Sequence, residues 1–307
     1  MAERLTDTGT VARVHIIDAL IEERATGLMT RPLLWRALKP TLLPLLGYHD
    51  AIAAVDRVAD MSGLEIFRLL SDQIRMDVQA VGLEHVPERG GAIVMPNHPA
   101  GIADGIAVFD ALKQVRDDLI FFANRDAIRA APGLAEMIVP VEWMEEKRSH
   151  ERRRETVKSM VRAFRDQRLV IIFPSGRLAQ PTVRGLRERP WQAAAMNLAF
   201  KYGLPVIPMH IRARNSWLYY LFYLLHHELR DITLFRELFN KTGHPYRISI
   251  GEPFDPVPAL ALHGDDMDAL TESLRTFVAE RMPLGETRFP RTASVTNPPT
   301  RGSGRDG

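Results

Sequence analysis

Asn97-His98-Pro99-Ala100-Gly101-Ile102-Ala103-Asp104-Gly105 puts one imidazole and one carboxylate in a Gly/Pro-rich turn just after a short apolar run. That pair suits general-base chemistry. An imidazole takes a proton near neutral pH, and a carboxylate fixes its tautomer. Gly101 lets the backbone fold tightly between the two. A lone histidine in a turn is also commonly structural or simply exposed, and the spacing to Asp104 does not by itself choose between the readings.

A second turn, Phe173-Pro174-Ser175-Gly176-Arg177, ends the strongest apolar run of the chain. A Gly turn after a strand can aim N–H groups at an anion, and Arg177 pairs with phosphate or carboxylate. An ordinary strand-to-loop turn with a solvated arginine is the plainer reading. Ser175 as a hydrolase nucleophile would need a Gly-x-Ser-x-Gly elbow, which is missing. Arg148, Arg152, Arg153, Arg154, Lys158 and Arg162 read as a solvated helix face or as a patch for anionic headgroups. No aromatic residues alternate with these bases, which argues against nucleic acid. Trp217 to Leu225 is uniformly apolar or aromatic between basic flanks. It is too short to span a bilayer and fits either a membrane interface or a core helix. His226-His227 lacks a neighbouring carboxylate–histidine set, so no catalytic metal is expected.

These turns need elements to hold them. Residues 9–80 read mostly as helices, with Val14, Ile17, Leu20 and Ile21 at helical spacing and a Leu-rich segment broken by Pro40 and Pro44. From residue 81, strands alternate with helices. Strand runs are Ala92-Ile93-Val94-Met95, Leu119 to Phe122, Leu169 to Phe173, Val206 to Ile211 and Arg247 to Ile250. Helices are expected after the His/Asp turn, through Val157 to Phe164, from Trp191 to Gly203, and through Met267 to Val278. This pattern predicts an α/β fold: a central mixed, partly parallel sheet flanked by helices, with an N-terminal helical region. Chemistry in such sheets sits beyond the strand ends, where both turns fall. The expected organisation is a helical region over 1–80, open to membrane association, a domain over 81–285 and a disordered Gly/Pro-rich tail over 286–307.

Composition narrows the class. The 307 residues include no cysteine, which excludes disulfides and thiol chemistry and permits a cytoplasmic setting. Net charge is only +2, from 40 basic and 38 acidic residues, unlike a nucleic-acid binder. Met1 to Thr10 has no apolar core, so no signal peptide is expected.

The order of the segments is more specific than any one of them. Gly82-Leu83-Glu84-His85-Val86-Pro87, then Asn97-His98-Pro99, Asp104-Gly105, Phe173-Pro174-Ser175-Gly176-Arg177 and Val206-Ile207-Pro208 resembles the glycerolipid (lysophosphatidate-type, PlsC-like) acyltransferase family over roughly residues 80–255. Within that family it resembles the bacterial branch of hemolysin-like or lyso-ornithine-lipid acyltransferases. That branch shares the five-residue gap between His98 and Asp104. Two departures stand out. Ser175 occupies the place of the family's third-block Glu, with Arg177 directly after Gly176. Val139-Pro140-Val141-Glu142-Trp143 lacks the second-block Arg.

The resemblance implies a lipid-biosynthetic O-acyltransferase of phospholipid or aminolipid metabolism. It would move a fatty acyl group from acyl-CoA or acyl-carrier protein to a lysolipid hydroxyl, with no bound cofactor. His98 and Asp104 would be catalytic. Asn97, Gly101, Phe173, Pro174, Ser175, Gly176 and Arg177 would contact substrate, with N–H groups around Gly176 as an oxyanion hole. The expected location is cytoplasmic, peripheral to the inner face of the membrane. A non-catalytic lipid-binding protein on the same fold is the alternative.

Overall fold

A computed structural model of the chain describes residues 2–5, 11–142 and 149–290. Trp143, Arg148, Met1, the stretch 6–10 and the expected tail from 291 onward lie outside them.

The chain opens with the strands β1 (Ala2–Leu5) and β2 (Val11–Val14), which pair antiparallel. Five helices follow: α1 (Ile16–Arg24), α2 (Thr26–Met29), α3 (Pro32–Leu45), α4 (Tyr48–Arg57) and α5 (Gly63–Ile74). Then come β3 (Asp77–Val81), β4 (Ala92–Pro96), α6 (Ile102–Leu112), β5 (Leu119–Asn124), α7 (Asp126–Ala130), β6 (Ile138–Val141), α8 (His150–Arg165) and β7 (Leu169–Ile171). A small hairpin, β8 (Gln180–Thr182) and β9 (Gly185–Arg187), precedes α9 (Ala194–Tyr202) and β10 (Val206–Arg212). The last elements are α10 (Trp217–Leu225), α11 (His227–Phe239), β11 (Pro245–Ile250), α12 (Pro256–Leu262) and α13 (Met267–Thr276).

Seven strands form one sheet in the order β3-β11-β10-β4-β7-β5-β6. Neighbours run parallel except at β10–β11, so the sheet is mixed as the alternation predicted. All residues of β4 and β7 are buried. Parallel strands covered on both faces read as continuous apolar runs for this reason. Their side chains alternate between two cores. Val94 and Ile171 pack with Phe67, Phe109 and Phe121 under α5 and α6. Ile93 and Val170 pack with Met196, Leu270 and Leu274 under α9 and α13. Each such aliphatic side chain contributes about 1.5–3 kcal/mol on burial.

The N-terminal helices build a third cluster from Leu20, Trp35, Leu42 and Leu43 against Ile232 of α11. Two features there depart from expectation. Pro40 and Pro44 sit inside a continuous α3 instead of breaking it. Both face solvent, so water can take the carbonyls that lose their N–H partner. β3 falls at the end of the region read as helical. It is an edge strand with alternating exposed and half-buried residues, so its apolar content is low.

Candidate active site

His98 lies in the loop from β4 to α6, at the carboxyl end of the central strand. Three contacts fix that loop. The Asn97 side chain grips β10 twice: its Oδ1 accepts the Ile211 N–H at 2.6 Å, and its Nδ2 donates to the Ile211 carbonyl at 3.0 Å. The His98 carbonyl accepts the Ala179 N–H at 2.8 Å. Gly101 takes φ 84° and ψ −133°, a combination that needs glycine, and a Cβ there would meet Leu178 at 3.1 Å.

Asp104, on the first turn of α6, is fully buried. Its Oδ2 accepts three donors: Ala100 N at 2.8 Å, Gly101 N at 3.0 Å and His98 Nδ1 at 2.9 Å. A carboxylate oxygen only accepts, so Nδ1 carries the proton and the lone pair is left on Nε2. The imidazole stacks on Phe173 with centroids 4.2 Å apart. Tautomer and ring plane are therefore both set, as a general base requires. The Asp104 Oδ1 is buried with no partner among the described residues.

Sequence reasoning missed Glu188. The β8–β9 hairpin carries it behind the His98 turn, where it is 7% exposed. It accepts the His98 N–H at 3.2 Å and Trp191 Nε1 at 3.0 Å. Burial pushes its carboxyl up, while the hydrogen bonds from Trp191 and the His98 backbone pull partly the other way. Nothing local in Arg187-Glu188-Arg189 marks it, because its burial depends on a non-local contact.

The second turn lies beside the first but plays a different part from the one expected. Phe173 supplies the stacking face, and Phe173, Pro174 and Gly176 line a cavity shared with His98. The Gly176 N–H closes the turn on the Phe173 carbonyl at 3.0 Å, so it is committed there and does not face a substrate oxygen. Ser175 is buried and donates to the Arg177 carbonyl at 2.8 Å. Arg177 is exposed and lies outside the lining of both cavities at the site.

One of these cavities, about 480 Å³, is apolar and opens at the His98 ring. Phe121 of β5 and Ile138 of β6 form its walls from the sheet side, Ile106 lines it from α6, and Leu20 of α1 and Phe235 of α11 line it too. The other, about 800 Å³, reaches the same turn from the β10–β11 side, through Asn97 and Pro99. The aromatic stretch Trp217 to Leu225 is α10. Leu218 and Tyr219 are buried, whereas Trp217, Leu221, Leu224 and Leu225 are exposed. The helix stops at His226, which is extended, and the His226 and His227 rings stack nearly parallel. His226 thus separates α10 from α11, which begins at His227.

Residues 77–212 match the protein-family profile described as Acyltransferase. Two curated proteins are similar, both lyso-glycine lipid O-acyltransferases. The one from Phocaeicola vulgatus is 23% identical over 158 residues, covering 52% of this chain and 55% of its own. The one from Bacteroides thetaiotaomicron is 23% identical over 161 residues, covering 52% and 57%. The chain thus spans about half the length of the curated relatives it matches. Among solved structures, the 1-acyl-sn-glycerophosphate acyltransferase PlsC from Thermotoga maritima aligns with 89% of this chain and 99% of its own. That alignment has a TM-score of 0.44 and 15% identity.

Proposed function

We propose that the chain, whose residues 77–212 match the acyltransferase family profile, transfers a fatty acyl group from a thioester donor to the hydroxyl of a lysolipid. The observation that carries this reading is the His98–Asp104 pair at the mouth of an apolar cavity. The cavity volume falls within the roughly 300–1,000 Å³ of small-ligand pockets.

His98 Nε2 takes the proton of the acceptor hydroxyl as its oxygen attacks the thioester carbonyl carbon. The imidazolium formed is stabilised by the Asp104 carboxylate. The tetrahedral oxyanion finds the N-terminal turn of α6, whose first N–H groups have no carbonyl partner within the helix. The Ile102 N–H is the nearest in sequence, and Ile102 lines the same cavity. Collapse breaks the carbon–sulfur bond, and the leaving thiolate recovers the proton from Nε2. The products are an ester and a free thiol, with no covalent acyl-enzyme.

The donor is acyl-CoA or acyl-carrier protein, and the acceptor a lysolipid of the amino-acid or phosphate type. The site works at the inner face of the membrane in this reading. Exposed Trp217, Leu221, Leu224 and Leu225 on α10, and Leu33 and Leu45 on α3, support a peripheral contact. Among the described residues no helix is long and apolar enough to cross a membrane.

The test is turnover of the purified protein with long-chain acyl-CoA or acyl-carrier protein and a lyso-glycine lipid, followed by mass spectrometry. Ester formation is expected in the wild type. His98→Ala should lower it by about 10²–10⁴, with an unchanged melting curve. Wild-type rates in His98→Ala would defeat the mechanism.

A further inference from the structure

The 800 Å³ cavity on the β10–β11 side of the His98 turn has no role in the mechanism above, and its chemistry is basic. Arg212, Arg214, His244 and Arg247 line it. Arg212 and Arg247 are direct partners in the antiparallel β10–β11 register. Like charges placed opposite one another in this way oppose sheet stability. Among the described residues no carboxylate pairs with either of them or with Arg214. Arg247 bonds only the neutral Gln79 side chain. The carboxylate that does line the cavity, Glu188, already receives the His98 N–H and the Trp191 indole.

A second set of observations points the same way. His210, on the same face of β10 as Arg212, lines the cavity, and its Nδ1 is buried with no partner among the described residues. Buried polar atoms of this kind are normally satisfied by a ligand or by ordered water. Asn97 and Pro99, on either side of His98 in the chain, line the cavity too. An unneutralised cationic cluster therefore adjoins the general base on the side away from the apolar cavity.

We propose that this cavity binds an anionic group of a substrate, a carboxylate or a phosphate, through Arg212, Arg214 and Arg247. The inference rests on the acyl-transfer reading for the identity of that substrate, but not for the binding itself. The group belongs either to the acceptor headgroup or to the phosphates of the donor. In both cases the two cavities divide the labour, apolar chain on one side of His98 and charged group on the other. This also accounts for the cross-strand arginine pair, whose repulsion a bound anion would relieve.

The test compares wild type with the double variant Arg212→Gln/Arg247→Gln in three measurements. Thermal denaturation should show the variant as stable as wild type or more so, since the repulsion is removed; a clear loss of stability would give these arginines a structural role and overturn the proposal. Calorimetric titration with N-octanoylglycine and with inorganic pyrophosphate should show affinity about tenfold to a hundredfold weaker in the variant, the scale of lost charge-assisted hydrogen bonds. Unchanged affinity for both, or no binding to wild type, would overturn it.

Steady-state kinetics then identify the source of the anion. A raised KM for the lyso-glycine lipid but not for its methyl ester assigns the cavity to the acceptor. A raised KM for acyl-CoA but not for the phosphate-free S-acyl-N-acetylcysteamine assigns it to the donor. If wild type turns over no donor–acceptor pair, acyl transfer falls, and the titrations still decide the anion site.

Discussion

Asp104→Asn separates the charge of the buried carboxylate from its geometry. Three donors converge on Oδ2 at 2.8–3.0 Å, while Oδ1 is buried with nothing to accept from. The asparagine amide therefore has one favourable orientation. Its oxygen replaces Oδ2 and keeps all three donors, and its NH2 takes the orphaned position. The His98 tautomer survives, and only the negative charge is lost. In the transition state that charge faces an imidazolium at a separation of about 4 Å. At an effective dielectric near 20 the attraction is about 4 kcal/mol, or roughly a thousandfold in rate. The buried NH2 left without an acceptor costs about 1–3 kcal/mol of stability. The assay is single-turnover acyl transfer at saturating donor, together with urea denaturation. The expected result is a kcat about 10³ lower, KM nearly unchanged because the interaction acts on the transition state, and a modestly lower unfolding midpoint. A kcat within tenfold of wild type would show that the carboxylate does not stabilise a charged His98, and general-base catalysis by this pair would be refuted. Asp104→Ala is a poorer probe, because it also strands the Ala100 and Gly101 N–H groups.

Gly105 lies within α6 and lines the apolar cavity, and an added Cβ would meet nothing within 4 Å. Gly105→Ala should stabilise the fold by about 0.5–1 kcal/mol, and Gly105→Leu should shorten the longest acyl chain accepted in a competition among acyl-CoAs of graded length. An unchanged chain preference would remove this cavity from acyl binding. Burial alone would raise the Glu237 carboxyl, but hydrogen bonds from Ser216 and Lys241 and the Lys241 charge hold it below its ordinary 4.5. Its folded pKa lies below the unfolded one, so its stabilisation is complete above 4.5 and is lost as pH falls through the lower folded value. Glu237→Gln strands the buried Lys241 and should cost about 3–5 kcal/mol near neutral pH. The gap to wild type should narrow in acid, and a gap independent of pH in denaturation curves would contradict this account. Ser175→Ala removes one hydrogen bond to the Arg177 carbonyl, about 0.5–1.5 kcal/mol, and should change kcat only a few-fold. A loss above a hundredfold at normal stability, or fluorophosphonate labelling of wild-type Ser175, would make it a nucleophile.

The parts of the fold that could be read in advance are those whose burial imprints a local pattern. Ala92 to Met95 and Leu169 to Ile172 are covered on both faces and are apolar throughout, and both proved to be central strands. The contact between His98 and Asp104 was legible because it spans only six positions, from the loop into the first turn of α6, with Gly101 supplying the required backbone between them. Residues that act across the sheet left no such trace. Glu188 reaches His98 over ninety positions of sequence, and Arg212 faces Arg247 only through the β10–β11 register. The second turn was misread for a related reason. A Gly turn after a strand looks the same in sequence whether its N–H faces a ligand or its own preceding carbonyl. At Gly176 the carbonyl of Phe173 has it.

Leu20 and Arg24 of α1 help to wall the apolar cavity, and Arg24 is tied to Asp126 at 2.7 Å. Both residues precede the matched segment, which starts at 77. The boundary of the segment that matches the family profile is therefore not a boundary of the pocket. A fragment cut at that point would keep the His98–Asp104 pair and lose one side of the chamber beside it. Under the proposed acyl transfer, a change in α1 alters the shape offered to the apolar chain without touching the His98–Asp104 pair. In this architecture selectivity and reactivity can evolve on separate stretches of the polypeptide.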